Sequence, residues 1–188
     1  MARTTGRQLR NLLGSLSLVA SLGGLAFGLP ALDRALPSQR PVPTDQPYPI
    51  GAGVTVVPPS GATVDLTGTR PGDNEGKALF RLGQVLYAID VRPFAGGLPA
   101  AADRLRQRIT GTPGYQVAGA QAAVSTTGGT PGLQGGYSAP GRSGRYVVFV
   151  LDGLTVEVTI SGADLDLDRS LPEIEASART LRHDGEPQ

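Results

Sequence analysis

Three observations in this 188-residue chain predict an α+β fold: a single antiparallel sheet packed by two amphipathic helices, preceded by one N-terminal transmembrane helix and a Pro-rich stalk. Short β-rich runs separated by Gly-containing turns fill most of the chain. Two stretches instead carry apolar residues at helical spacing. At the N-terminus, a long charge-free run gives way to closely spaced prolines. The implied division is 1–32 (Arg flank and apolar helix), 33–53 (linker), 54–182 (folded domain) and 183–188 (polar tail).

In the first segment, Arg3, Arg7 and Arg10 precede Asn11 to Leu32, 22 residues without a charge. As a helix, that stretch would span roughly 33 Å, the thickness of a bilayer's hydrocarbon core. The arginines belong inside by the positive-inside bias, which puts Asp33 onward outside the cytoplasmic membrane. Two readings follow. One is an uncleaved signal anchor, with residues 11–32 in the lipid bilayer. The other is a secretory signal peptide cut near Gly24-Leu25-Ala26, where small residues stand at the required positions. The run is longer than an ordinary signal core, which favours the anchor. Ala20, Gly24 and Gly28 recur every four residues, a stripe that would let two such helices approach closely and form a homodimer.

Pro37, Pro41, Pro43, Pro47 and Pro49 come next. Prolines at this density oppose helix and central strand and favour an extended polyproline stalk, roughly 60 Å long at ~3.1 Å per residue. Val54–Val57 and Ala62–Thr67 are short strands about a Pro-Pro-Ser-Gly turn, and Lys77–Arg81 and Gln84–Phe94 are longer ones. Leu98, Ala102, Leu105 and Ile109 then fall on one helical face, with Arg104, Arg106 and Arg108 largely off it. Pro99 suits the start of that helix, and Gly111 with Pro113 ends it.

Strands follow over Tyr115–Ser125, Leu133–Ser138, Arg145–Leu151 and Leu154–Ser161. Asp152-Gly153 joins the last two as a tight hairpin. Val156, Val158 and Ile160 alternate with Thr155, Glu157 and Thr159, so the last strand should bury the first set and wet the second. Leu171, Ile174, Ala178 and Leu181 mark a closing helix, with Ser170 and Glu173 placed as a capping box.

This pattern resembles the PsbP-like fold of LpqN-type actinobacterial envelope proteins. The resemblance rests on the helix after QVLYAIDVRPF (Gln84–Phe94), the hairpin GRYVVFVLDGLTVEVTISG (Gly144–Gly162) and the closing LPEIEASARTL (Leu171–Leu181). It covers about Val54 to Leu181 and consists of hydrophobic patterns, with no catalytic signature. It implies a non-enzymatic envelope or accessory role. The lipid-bearing Cys of that family is missing, so anchoring would fall to the helix itself.

Composition narrows the chemistry. The chain holds no Cys and a single His, His183, which excludes disulfides, thiolate metal sites, thiol nucleophiles and multi-His centres. Net charge is +1, and past residue 32 there are 14 basic against 16 acidic residues, which argues against nucleic acid as a partner. Asp164, Asp166, Asp168 and Glu175 match positions 1, 3, 5 and 12 of a calcium loop. Arg169 replaces the turn glycine, however, no helix precedes the run, and Pro172 falls inside it. The better reading is acidic residues near a helix N-terminus.

Gly72 to Lys77 is one residue short of a phosphate loop and leads into a strand. The glycines between Gly128 and Gly136 read as a long hairpin connection, a candidate mobile binding loop. Arg142 and Arg145 read as solvated turn residues. Ser125, Thr126 and Thr127 have no base nearby in sequence, and His183 lies in the polar tail. No catalytic residue, cofactor or metal is assigned. The expected role is a non-catalytic binding or scaffolding domain whose partner is an envelope protein or an apolar ligand held between helix and sheet. A secreted binding protein is the alternative, and an envelope hydrolase a lesser one.

Overall fold

The computed structural model describes residues 38–184. The apolar segment 1–32, with its Ala20, Gly24 and Gly28 stripe, lies outside the described residues, as do the start of the linker and the last four residues. The described chain reads β1 (Gln39–Pro41), β2 (Tyr48–Gly51), β3 (Val54–Val56), β4 (Thr63–Asp65), β5 (Arg70–Pro71), β6 (Gly76–Leu82), β7 (Val85–Pro93) and α1 (Leu98–Thr110). It continues as β8 (Gln116–Ser125), β9 (Pro131–Ala139), β10 (Arg142–Leu151), β11 (Leu154–Gly162), α2 (Asp164–Arg179) and β12 (Arg182–His183).

All strand pairs are antiparallel, in the order β12-β3-β2-β6-β7-β11-β10-β9-β8. The outer edge of β6 is shared by short pieces of β2, β4 and β5. Asp152 and Gly153 both take positive φ, 44° and 79°, as the two-residue turn between β10 and β11 requires.

The helices cover opposite faces. On one face, Val85, Tyr87, Ile89 and Val91 of β7, Val147 and Phe149 of β10, and Val156, Val158 and Ile160 of β11 form the main core with Leu167, Ile174 and Ala178 of α2. On the other, Ala101, Ala102, Leu105 and Ile109 of α1 pack on Tyr137, Tyr146 and Val148. Alternation along β10 therefore serves two cores at once.

Four expectations are corrected. The linker assigned to 33–53 is strand from Gln39 to Pro41 and from Tyr48 to Gly51, so the folded unit begins at Gln39 and not at Val54. Ile50 is fully buried, and that apolar anchor overrides the prolines. β2 pairs along its length with β3 and meets β6 only at Gly51–Gly76, leaving an edge free at Pro49, where a missing N–H breaks no ladder.

Second, the closing helix starts at Asp164, six residues before the assigned capping box. Its N-cap is Ala163, with no side-chain cap. Asp164 and Asp166 in its first turn complement the helix N-terminus. Pro172 sits inside it, on the exposed side, where a lost helical bond costs least. Third, the supposedly wet face of β11 is dry at Thr155 (1% exposed) and Glu157 (4%); α1 packs beside that strand, and Arg108 reaches from it to Glu157. Fourth, His183 belongs to β12, paired with Val54, and not to a polar tail.

Candidate functional site

A cleft of about 440 Å³ opens where α1 stops covering the sheet. Its origin is geometric. A helix about 10 Å wide spans little more than two strands ~4.8 Å apart. α1 packs over β8, β9 and β10, and the same face of β11, β7 and β6 is left without a helix. Leu105, Arg108 and Ile109 of α1 wall one side, and Tyr115 and Tyr137 close one end. The floor is Ala88, Asp90, Glu157, Thr159 and Ser161, with Lys77 and Arg92 at its rim.

Register builds the charged floor. Arg70 lies opposite Lys77, Lys77 opposite Asp90, and Asp90 opposite Glu157, so the four stand in one row across β5, β6, β7 and β11. Directly opposed residues share a face of the sheet. Arg92 clamps Asp90 through two hydrogen bonds, Nε to Oδ1 at 2.7 Å and Nη2 to Oδ2 at 2.9 Å. Those bonds to Asp90 hold the Arg92 guanidinium above its already high ordinary pKa.

Arg108 Nη2 donates to Glu157 Oε1 at 2.6 Å, while Glu157 Oε2 is buried with no hydrogen-bond partner among the described residues. The pair is lopsided: Glu157 is 4% exposed and Arg108 43%. The Tyr137 hydroxyl donates to the Ile160 carbonyl at 3.1 Å, and burial holds this phenol above its usual pKa. Tyr115 stacks on Tyr137 with ring centroids 5.9 Å apart.

Asp90 and Glu157 are each tied to an arginine, and no hydroxyl in the cleft is bonded to a histidine. His183 lies elsewhere, in a shallow depression beside Gly53, and its Nδ1 is 2.8 Å from Asp152 Oδ2. The hydroxyl run of Ser125 to Thr127 serves the chain's own turns. Thr126 Oγ1 accepts from Thr130 N–H, and Thr127 N–H and Oγ1 donate to the Arg179 carbonyl.

The acidic run is helical. Asp164, Asp166 and Asp168 lie in the first turns of α2, where Ser143 Oγ donates to Asp164 Oδ1 at 2.5 Å, and Glu175 lies 4.0 Å from Arg179. No group of three or more His, Asp or Glu side chains converges among the described residues. The glycines of 128–136 were expected to form one connection; β9 in fact begins at Pro131. Gly132 and Gly135 sit under the rings of Phe149 and Tyr146, which occupy the space that a Cβ would need. Arg142 and Arg145 are residues of β10, not of a turn.

Of the cleft residues, only Lys77 was weighed in the sequence, at the end of a phosphate-loop pattern that was set aside. A signal was there: Lys77, Asp90, Arg92 and Glu157 occupy the non-apolar phase of three long strands. Their meeting depends on β11 pairing with β7 and not only with β10.

No family model matches the chain, and no curated protein matches it by sequence. Solved structures do match. The solution structure of cyanobacterial PsbP (CyanoP) from Synechocystis sp. PCC 6803 superposes with a TM-score of 0.51 at 13% identity, covering 79% of this chain and 94% of that one. A Pseudomonas aeruginosa protein of unknown function matches with a TM-score of 0.49 at 17% identity, covering 72% and 99%. LpqN of Mycobacterium tuberculosis, involved in cell envelope biogenesis, matches with a TM-score of 0.37 at 17% identity, covering 76% and 86%. The chain has a PsbP-like fold.

Proposed function

We propose, from this PsbP-like fold and the cleft beside α1, that the chain is a non-catalytic binding domain of the bacterial cell envelope. Residues 11–32 hold it on the outer face of the cytoplasmic membrane, N-terminus inside. The observation that carries the reading is the cleft itself: a half-open space walled by Leu105, Ile109 and two tyrosines, floored by ion-paired side chains, with no nucleophile set against a base. The placement outside the membrane is supported by Arg3, Arg7 and Arg10 ahead of 22 charge-free residues. No described helix is long and apolar enough to cross a membrane.

Protease added to spheroplasts carrying a C-terminally tagged chain tests the topology. The tag should be lost while an N-terminal fragment stays with the membrane. Recovery of a free species beginning near Phe27 would replace the anchored domain with a secreted one. Protection of the tag in intact spheroplasts would overturn the envelope reading altogether.

A further inference from the structure

The geometry points to the cleft between α1 and the sheet as a site for a small acid: a carboxylate or phosphate group on a compact apolar or aromatic body. This inference rests on the reading of the cleft as a binding site and adds the chemistry of what binds. Between residues 38 and 184, acidic residues outnumber basic ones, 14 to 13. The cleft reverses that balance, with Lys77, Arg92 and Arg108 against Asp90 and Glu157. Beside it, Arg70 stands directly opposite Lys77, and neither forms an ion pair among the described residues. Like charges set opposite each other on a sheet repel, and an anion between them would relieve that repulsion.

The two acids of the cleft do not cancel this field. Both oxygens of Asp90 accept from Arg92. Glu157, buried beneath Arg108, acts as a positioning residue: it engages Nη2 alone and leaves the other N–H groups of the half-exposed Arg108 side chain free to donate. Burying a carboxylate with one unpartnered oxygen is costly. A return for that cost is an arginine held in one orientation at the mouth of the cleft. An arginine so fixed loses little freedom on gripping an oxyanion, and its planar donors suit a carboxylate or phosphate. The body of the ligand then lies against Leu105, Ile109 and the stacked rings of Tyr115 and Tyr137. A volume of about 440 Å³ suits a ring or a short chain better than a polymer.

The test is calorimetric titration of the full chain in nanodiscs of a zwitterionic lipid, with empty nanodiscs as the blank. Four probes are used: benzoate, phenyl phosphate, benzyl alcohol and benzylammonium. Benzoate or phenyl phosphate should bind, whichever is tighter naming the acid, with affinity falling as salt is raised. Lys77→Gln, on an exposed side chain with no ion pair among the described residues, should weaken the tighter acid by about tenfold. The pair Arg108→Gln with Glu157→Gln, which leaves no buried charge unpaired, should weaken it at least as much while Arg145→Gln leaves it unchanged. If the double variant fails to fold, Lys77→Gln decides. Benzyl alcohol or benzylammonium binding as tightly as either acid, or undiminished acid binding in Lys77→Gln, would overturn the anion assignment and leave a binding cleft of other specificity. No heat from any of the four probes would overturn the binding reading itself and the acid assignment with it.

Discussion

The Asp65 carboxylate accepts from the Thr67 hydroxyl at 2.6 Å, from Thr67 N–H at 2.9 Å and from Gly68 N–H at 3.1 Å, with Arg81 Nε 3.6 Å away. The Thr67 hydroxyl bond is the main cause that holds its pKa below the ordinary carboxylate value. A depressed folded pKa stabilises the fold above the unfolded value of about 4, and that contribution is lost as pH falls through the folded pKa. Asp65→Asn should therefore cost about 1–3 kcal/mol at neutral pH and flatten the loss of stability in urea melts taken from pH 6 down to pH 2. An unchanged acid limb would assign that loss to other carboxylates. A second residue-scale constraint is steric. A Cβ on Gly76 would run into the backbone of Ile50 and Gly51, which cannot rotate away, whereas one on Gly128 would meet only Thr126 Oγ1 at 3.7 Å. Gly76→Ala should destabilise by about 1–3 kcal/mol or more, and Gly128→Ala should stay within about 0.5 kcal/mol. Equal effects in thermal melts would mean that β2 and β6 are not in close contact.

Among the elements, α2 is the one whose packing was foreseen and whose start was not. Ile174 is fully buried against the face of β11 that carries Val156, Val158 and Ile160. Ile174→Ala should cost ~2–5 kcal/mol through lost transfer energy and the cavity left behind. Glu175→Ala removes only a 4.0 Å partner of Arg179 and should cost less than about 0.5 kcal/mol. Denaturant midpoints that fall equally and slightly would show a helix that is not docked. The first turns of α2 were missed because Leu165 and Leu167 alternate with aspartates, a strand-like period. In a helix, two residues turn the chain through about 200°, so these leucines point apart: Leu165 is 81% exposed and Leu167 5%. Three aspartates near a helix N-terminus were legible as such; the helix that receives them begins earlier than its apolar stripe suggests.

At the scale of the whole molecule, β10 binds the two cores into one. Val147 and Phe149 face α2 while Tyr146 and Val148 face α1, so neither helix can leave without exposing a side of the same strand. Leu105→Ala in the smaller core and Ile174→Ala in the larger should each lower a single cooperative transition, with far-ultraviolet circular dichroism and tyrosine fluorescence changing together. Two separated transitions in either variant would show that the α1 face melts on its own.

Periodicity and turn chemistry made the strands from Val54 to Gly162 other than β5, the Asp152-Gly153 hairpin, the α1 stripe and the buried Ile174 legible in the sequence. These are set by neighbours within a few residues, and local side-chain period is what a sequence displays. Tertiary contact decided the rest. Ile50 draws a proline-rich segment into the sheet because a fully buried side chain outweighs the weak strand preference around it. Glu157, placed by its period on a wet face, is buried where a helix about 50 residues earlier returns beside it and reaches over with Arg108. The cleft follows from the same long-range pairing. Lys77 and Asp90 meet within the β6–β7 hairpin, but Glu157 joins them only through the long-range pairing of β7 with β11, a registry that no local pattern encodes.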